Sequence, residues 1–138
     1  MINAVNESDF RKMFDKGYKV IPVGETDKGY GKCPQIKNWE GIDWEGLDEH
    51  DQTDKWFHDI GHRISGMGVL LGPDSKGLAA IDIDSDDDEI IQRICKYFYS
   101  PVMKKGGKGL TIFFQTDEKH NRTSYRFNVP SGGMVEVF

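Results

Sequence analysis

The sequence of 138 residues has only two cysteines, Cys33 and Cys95, and neither belongs to a CxxC pair. That spacing excludes a zinc knuckle and a disulfide framework, and leaves two reduced thiols as the expectation. No apolar run approaches the ~18 residues of a membrane-crossing helix, so no membrane partner is expected. The opening MINAVNESDF has no basic stretch followed by an apolar one, so no secretory signal is read there and a cytoplasmic setting is expected. Internal repeats, low-complexity tracts and the GxxxxGK[ST] spacing of a P-loop are also missing. No Ser-His-Asp or Cys-His grouping stands out. His58 and His62 have the spacing of helical metal ligands, but Gly61 lies between them and no third ligand follows, so they read as surface residues.

Aromatics, by contrast, are plentiful. Eight Phe, five Tyr and three Trp are too many for a disordered acidic chain. The length suits one domain, 1–138, able to bury a real core. The net charge of −5 argues against a nucleic-acid partner, because phosphate binding rests on Lys and Arg. The charge is segregated, however. Residues 40–60 hold eight acids and one Lys, and residues 82–89 hold six acids. Residues 11–37 hold seven bases against three acids, and residues 101–126 hold six against two. The total therefore does not exclude nucleic acid; it implies modest, salt-dependent affinity.

Local patterns predict an α+β (α/β) fold, a mixed β-sheet flanked by helices. A helix is expected over 8–16, with Ser8 as cap and Phe10, Met13 and Phe14 on one face. Gly17 stops it, and 18–23 follows as a strand with Pro22 near its end. Residues 24–39 read as a loop carrying Lys28, Lys32 and Lys37. A short helix is expected around 54–59. Residues 68–72 and 78–84 read as strands joined by a turn. A helix over 86–99 would place Ile90, Ile91, Ile94, Tyr97 and Phe98 on its apolar side. Residues 110–115 and 134–138 read as later strands. Trp39, Trp44, Trp56 and Phe57 are either base-stacking groups or core.

The most informative segment is Ile81-Asp82-Ile83-Asp84. Strand side chains alternate faces, so Asp82 and Asp84 share one face with Cα atoms ~6.6 Å apart, while Ile81 and Ile83 face a core. Two neighbouring carboxylates in a strand need compensation, and a divalent cation supplies it: Mg²⁺ takes one or two carboxylates and then phosphate oxygens. The competing reading is that Asp84 begins an acidic run to Glu89 that is simply a solvated helix start. The run lacks the central Gly and distal Glu of a calcium loop. Val135-Glu136-Val137 repeats the apolar–acid–apolar pattern. Lys104, Lys105, Gly106, Gly107, Lys108 and Gly109 combine exposed backbone N–H groups with positive charge, which suits a triphosphate or, equally, a basic hairpin tip.

Taken in order, these segments resemble the primase–polymerase domain of the archaeo-eukaryotic primase superfamily, in its bifunctional DNA primase/polymerase form from phages and plasmids. The resemblance runs from Gly17–Val23 through Lys32-Cys33-Pro34, Trp39, Gly68–Gly72 and Gly77–Asp84 to Gly109–Phe114 and Val135-Glu136-Val137. It implies a primase-like fold with an RRM-like half, here truncated. It implies that Asp82, Asp84 and Glu136 are catalytic and hold two Mg²⁺ or Mn²⁺ ions. Those ions would activate a 3′-hydroxyl for attack on the α-phosphate of an incoming nucleotide. Thr111 stands where the family usually has a nucleotide-contacting histidine, and Lys108, Lys104 and Lys105 would supply the missing charge.

The implied partners are a single-stranded DNA template, nucleoside triphosphates and a replicative helicase domain or protein, in a bacterial cytoplasm. The family's core continues past the third motif, whereas this sequence stops at Phe138. It is therefore expected to be the N-terminal part of a longer replication protein, with an unpaired sheet edge at the cut. Two other functions fit the residues. One is a catalytically weak or inactive remnant that binds DNA or nucleotide, favoured by Thr111. The other is a metal-dependent nuclease, which also needs clustered carboxylates.

Overall fold

The computed structural model describes residues 5–27, 31–98, 100–116 and 125–138. The chain divides into two compact units, Met1–Leu70 and Leu71–Phe138.

The first unit opens with helix α1 (Glu7–Asp15). Its cap is Asn6 rather than Ser8. The Asn6 side chain accepts from the Asp9 backbone N–H at 3.1 Å, and the Asp9 carboxylate accepts from the Asn6 N–H at 2.9 Å. This reciprocal box satisfies two of the N–H groups left free at a helix start. Gly17, at φ +87°, ends the turn as expected. Strand β1 (Val20–Glu25) is central to an antiparallel sheet with β2 (Gly31–Pro34) and β3 (Gly66–Val69). Strand β2 occupies part of the segment expected to be a loop. Its alternation is too short to register in the sequence. Lys28 lies outside the described residues.

Helix α2 (Glu49–Ile60) is capped by Asp48 and starts well before the expected 54–59, because its acidic first turn masks the period. Its Trp56 packs with Phe10, Phe14, Val20 and Ile64 in the core. Trp44 lies against Phe14, and Phe57 meets Phe10 edge-on at 5.3 Å between ring centroids. Those three aromatics therefore serve the core, and only Trp39, in a short 3₁₀ turn, stays half-buried outside it.

The second unit is a five-stranded sheet with one helix. Its strands are β4 (Leu78–Asp84), β5 (Met103–Lys105), β6 (Leu110–Gln115), β7 (Tyr125–Asn128) and β8 (Met134–Val137), in spatial order β5-β6-β4-β8-β7. Every described pairing in both sheets is antiparallel. The single mixed sheet expected from the sequence is thus replaced by two antiparallel ones, and α+β is the class observed.

Strand β8 is not an edge. It lies between β4 and β7, so the edge expected at the chain's last strand is covered by a strand the sequence reading did not include. Helix α3 (Asp88–Tyr97) packs Ile90, Ile91, Ile94 and Cys95 against Ile81, Ile83, Ile112 and Val135. Tyr97 and Phe98, expected on that face, are exposed instead; they fall where the helix runs out and Phe98 leaves helical geometry. Residue 99, the expected helix end, lies outside the described residues. Among the described residues, no helix is long and apolar enough to cross a membrane.

Candidate acidic-strand site

The register of the second sheet fixes which side chains meet. Ile81, Ile83, Ile112 and Val135 face α3, so their alternates face the other way. On that opposite face, Asp82 pairs with Glu136 on one side and with Thr111 on the other. Thr111 in turn pairs with Lys104, and Glu136 with Arg126. The result is one lateral row across all five strands: Lys104, Thr111, Asp82, Glu136, Arg126. Directly opposed residues in such a ladder have Cβ atoms about 4.5–5.5 Å apart, close enough for their side chains to interact.

Two like charges facing each other across a ladder destabilise it, and the row carries its own compensation. Thr111 Oγ1 donates to Asp82 Oδ1 at 2.7 Å. Arg126 Nε donates to Glu136 Oε2 at 2.9 Å. Asp84, one pleat further along β4 and more exposed, lies 3.6 Å from Lys108 Nζ. Each carboxylate of the proposed trio therefore has a protein donor or cation beside it. The Glu136 side chain is 20% exposed and Arg126 is 66% exposed, so the acid is sheltered and the base lies at the rim.

Backbone geometry holds these strands close. Gly109 and Gly133 both have positive φ, and a β-carbon on either would run into the carbonyl of Ile83 or Asp84. Only glycine permits the β6 entry and the β8 entry to approach the end of β4 so closely. Just beyond, Ser85 is fully buried. Its hydroxyl donates to the Gly132 carbonyl at 3.2 Å and accepts from the Asp87 N–H at 3.1 Å.

Asp87 caps α3, accepting from the N–H groups of Glu89 and Ile90. The Ser131 hydroxyl also donates to it, and this donor first, then the Ile90 N–H, lowers its pKa from the ordinary carboxylate value. An open pocket of about 400 Å³ lies here, between Ser85, Asp87 and Lys108 on one side and Ser131 to Gly133 on the other. The acidic run thus has two jobs: Asp87, Asp88 and Glu89 serve the helix start, while Asp82 and Asp84 belong to the strand.

The predicted site residues are sorted by this geometry. Asp82, Glu136, Thr111 and Lys104 share one row, with Asp84 and Lys108 beside it. Lys105 pairs with Leu110 and so alternates onto the opposite face. The basic glycine segment forms the tip of the β5–β6 hairpin. Arg126 was missed, although Tyr125-Arg126-Phe127 has the apolar–charged–apolar signature that marked Val135-Glu136-Val137. His58 is exposed and bonded to its neighbour Asp59.

All-oxygen donors on one face of a rigid sheet suit a hard divalent cation in their chemistry. Among the described residues, no group of three or more His, Cys, Asp or Glu side chains converges on one point. Asp82 and Glu136 are the facing pair, and Asp84 would have to turn toward them. Neither a family model, nor a curated protein, nor a solved structure matches the chain.

Proposed function

We propose that the chain is a metal-dependent nucleotidyltransferase of the primase–polymerase type, making or extending primers on a single-stranded DNA template. One observation supports this above the others: the register that sets Asp82 opposite Glu136, with Thr111 on the far side of Asp82. Asp82 and Glu136, 54 positions apart in the sequence, and Thr111 share one polar row, and these are the positions the family resemblance assigns to metal binding and nucleotide contact.

A pair of Mg²⁺ or Mn²⁺ ions, when bound, supplies the Lewis acidity for in-line attack on an α-phosphate. The chain's own part is positional. Asp82 and Glu136, with Asp84 turned toward them, would hold the cations on the sheet face. Thr111 fixes the Asp82 carboxylate through its hydroxyl and has a lone pair left to accept from substrate. Lys104 and Lys108, on the hairpin, offer point charges to the phosphates.

Primer synthesis and extension assays in Mg²⁺ and in Mn²⁺ test the proposal. Wild-type protein should incorporate nucleotides, and Asp82→Asn with Asp84→Asn should abolish incorporation without unfolding the sheet. Equal behaviour of the two proteins would overturn it.

A second reading, a DNA- or nucleotide-binding remnant, is favoured by a specific feature. Thr111 brings no charge where the family has histidine, and its hydroxyl is committed to Asp82. Nucleotide binding without incorporation even in Mn²⁺ would select that reading, and gain of activity in Thr111→His would count against it. Degradation of labelled DNA in Mg²⁺ would instead indicate a nuclease.

A further inference from the structure

We propose that Arg126 is a built-in counter-cation of the acidic row: it competes with the divalent ion for Glu136 and, once displaced, binds the phosphates of the incoming nucleotide. This rests on the metal-dependent reading above. The row and its neighbours hold Asp82, Asp84 and Glu136 against Lys104, Lys108 and Arg126. Among these described residues three acids stand against three bases, so their charges balance before any ion arrives.

A divalent ion entering this face must bind carboxylates that already have a donor on one oxygen. Asp82 can keep its bond to Thr111 on Oδ1 and still offer Oδ2. A divalent ion at Glu136 Oε1 would bring a second positive charge beside the guanidinium at Oε2, and their repulsion weakens the Arg126–Glu136 pair. Arg126 is suited to leave. It is on an edge strand, paired only to β8 among the described strands, and its side chain is mostly exposed.

A displaced guanidinium stays tethered beside the row, with a fork of N–H donors that fits phosphate in a bidentate manner. Cation and polyanion are thereby coupled: the first frees the group that helps to hold the second. The coupling is reciprocal, as linkage requires.

The signature is a pair of effects of opposite sign from one substitution. Free Mn²⁺ is measured by electron paramagnetic resonance on wild type, Arg126→Ala and Asp82→Asn. Binding of dATP in saturating Mg²⁺ is measured by calorimetry on the same proteins. In Arg126→Ala, Mn²⁺ affinity should rise about three- to ten-fold, the scale of a partly exposed ion pair doubled by the ion's charge. Affinity for dATP should fall by about the same factor.

Effects of the same sign, or no change in either, overturn the role of Arg126. If Asp82→Asn still abolishes Mn²⁺ binding in that case, the carboxylate site stands and only the competition is wrong. If Mn²⁺ binding is insensitive to Asp82→Asn, the metal reading and this proposal fall together. Arg126→Gln, which keeps a polar side chain on β7, replaces the alanine variant should circular dichroism show loss of the sheet.

Discussion

Thr111 and Asp82 are locked together across the β4–β6 ladder, hydroxyl to carboxylate at 2.7 Å, while Asp82 faces a second carboxylate, Glu136, on its other side. The hydroxyl is the only direct donor to Asp82 among the described hydrogen bonds, and it partly offsets the carboxylate's charge. Thr111→Val keeps the β-branched shape that suits a strand and removes the donor. It should cost about 1.5–3 kcal/mol in urea unfolding without divalent ions, the range for a hydrogen bond to a charged group. In an Asp82→Asn background the same change should cost less. A double-mutant cycle reading zero coupling would show that the bond carries no stability.

Two glycines make the close approach at the end of β4 possible. Gly109→Ala and Gly133→Ala each combine a positive φ with a collision against the β4 backbone. Each should lose at least about 2 kcal/mol of stability. Gly107→Ala is the matched control on the same hairpin, because a β-carbon there meets nothing within 4 Å. It should be neutral within about 0.5 kcal/mol. Thermal melts of the three variants give the comparison, and equal losses in all three would refute the close-approach account.

The strands that were legible in the sequence were those with an unambiguous period. Ile81-Asp82-Ile83-Asp84 alternates, and its isoleucines are buried while its acids face away. Strands β2 and β7 escaped because four residues are too short a window for a period to stand out, although Tyr125-Arg126-Phe127 does alternate. That omission hid Arg126; the unpaired edge expected from the family's longer core is instead filled by β7 beside β8. Tyr97 and Phe98 are exposed because hydrophobic side chains continue through the helix's last residue and its cap, where no described element covers them. Which residues are opposite each other cannot be read from one strand alone. Register comes from turn geometry and the buried face, so the row from Lys104 to Arg126 emerged only with the sheet.

Asp87 links helix α3 to acid stability. Its pKa is lowered in the folded chain by the Ser131 hydroxyl and the Ile90 N–H. A depressed carboxylate contributes stability that is fully present above its unfolded value, about 3.9, and is lost as pH falls toward its folded value. Asp87→Asn keeps an N-cap side chain but cannot titrate. The variant should therefore show a shallower fall of melting temperature with acid than wild type. Ser131→Ala should also flatten that fall, through loss of the leading donor. An unchanged acid limb in both variants would mean that Asp87 does not contribute to it.

Phe10 is the central side chain of the first unit's core, fully buried and edge-on to both Trp56 and Phe57. It reaches that position because the Asn6–Asp9 box starts α1 in the phase that turns Phe10 and Phe14 inward. Phe10→Ala removes a ring that neighbours on two helices rely on, and the cavity cannot close from one side. The expected cost is about 3–5 kcal/mol, a large share of the 5–15 kcal/mol typical of a whole protein. Trp56 reports the change directly: its fluorescence should shift to the red as water gains access to the indole. Tyr97→Ala, at a side chain 78% exposed, should leave both the emission and the unfolding midpoint close to wild type. A Phe10→Ala protein with wild-type emission and midpoint would show that this aromatic cluster does not hold the unit together.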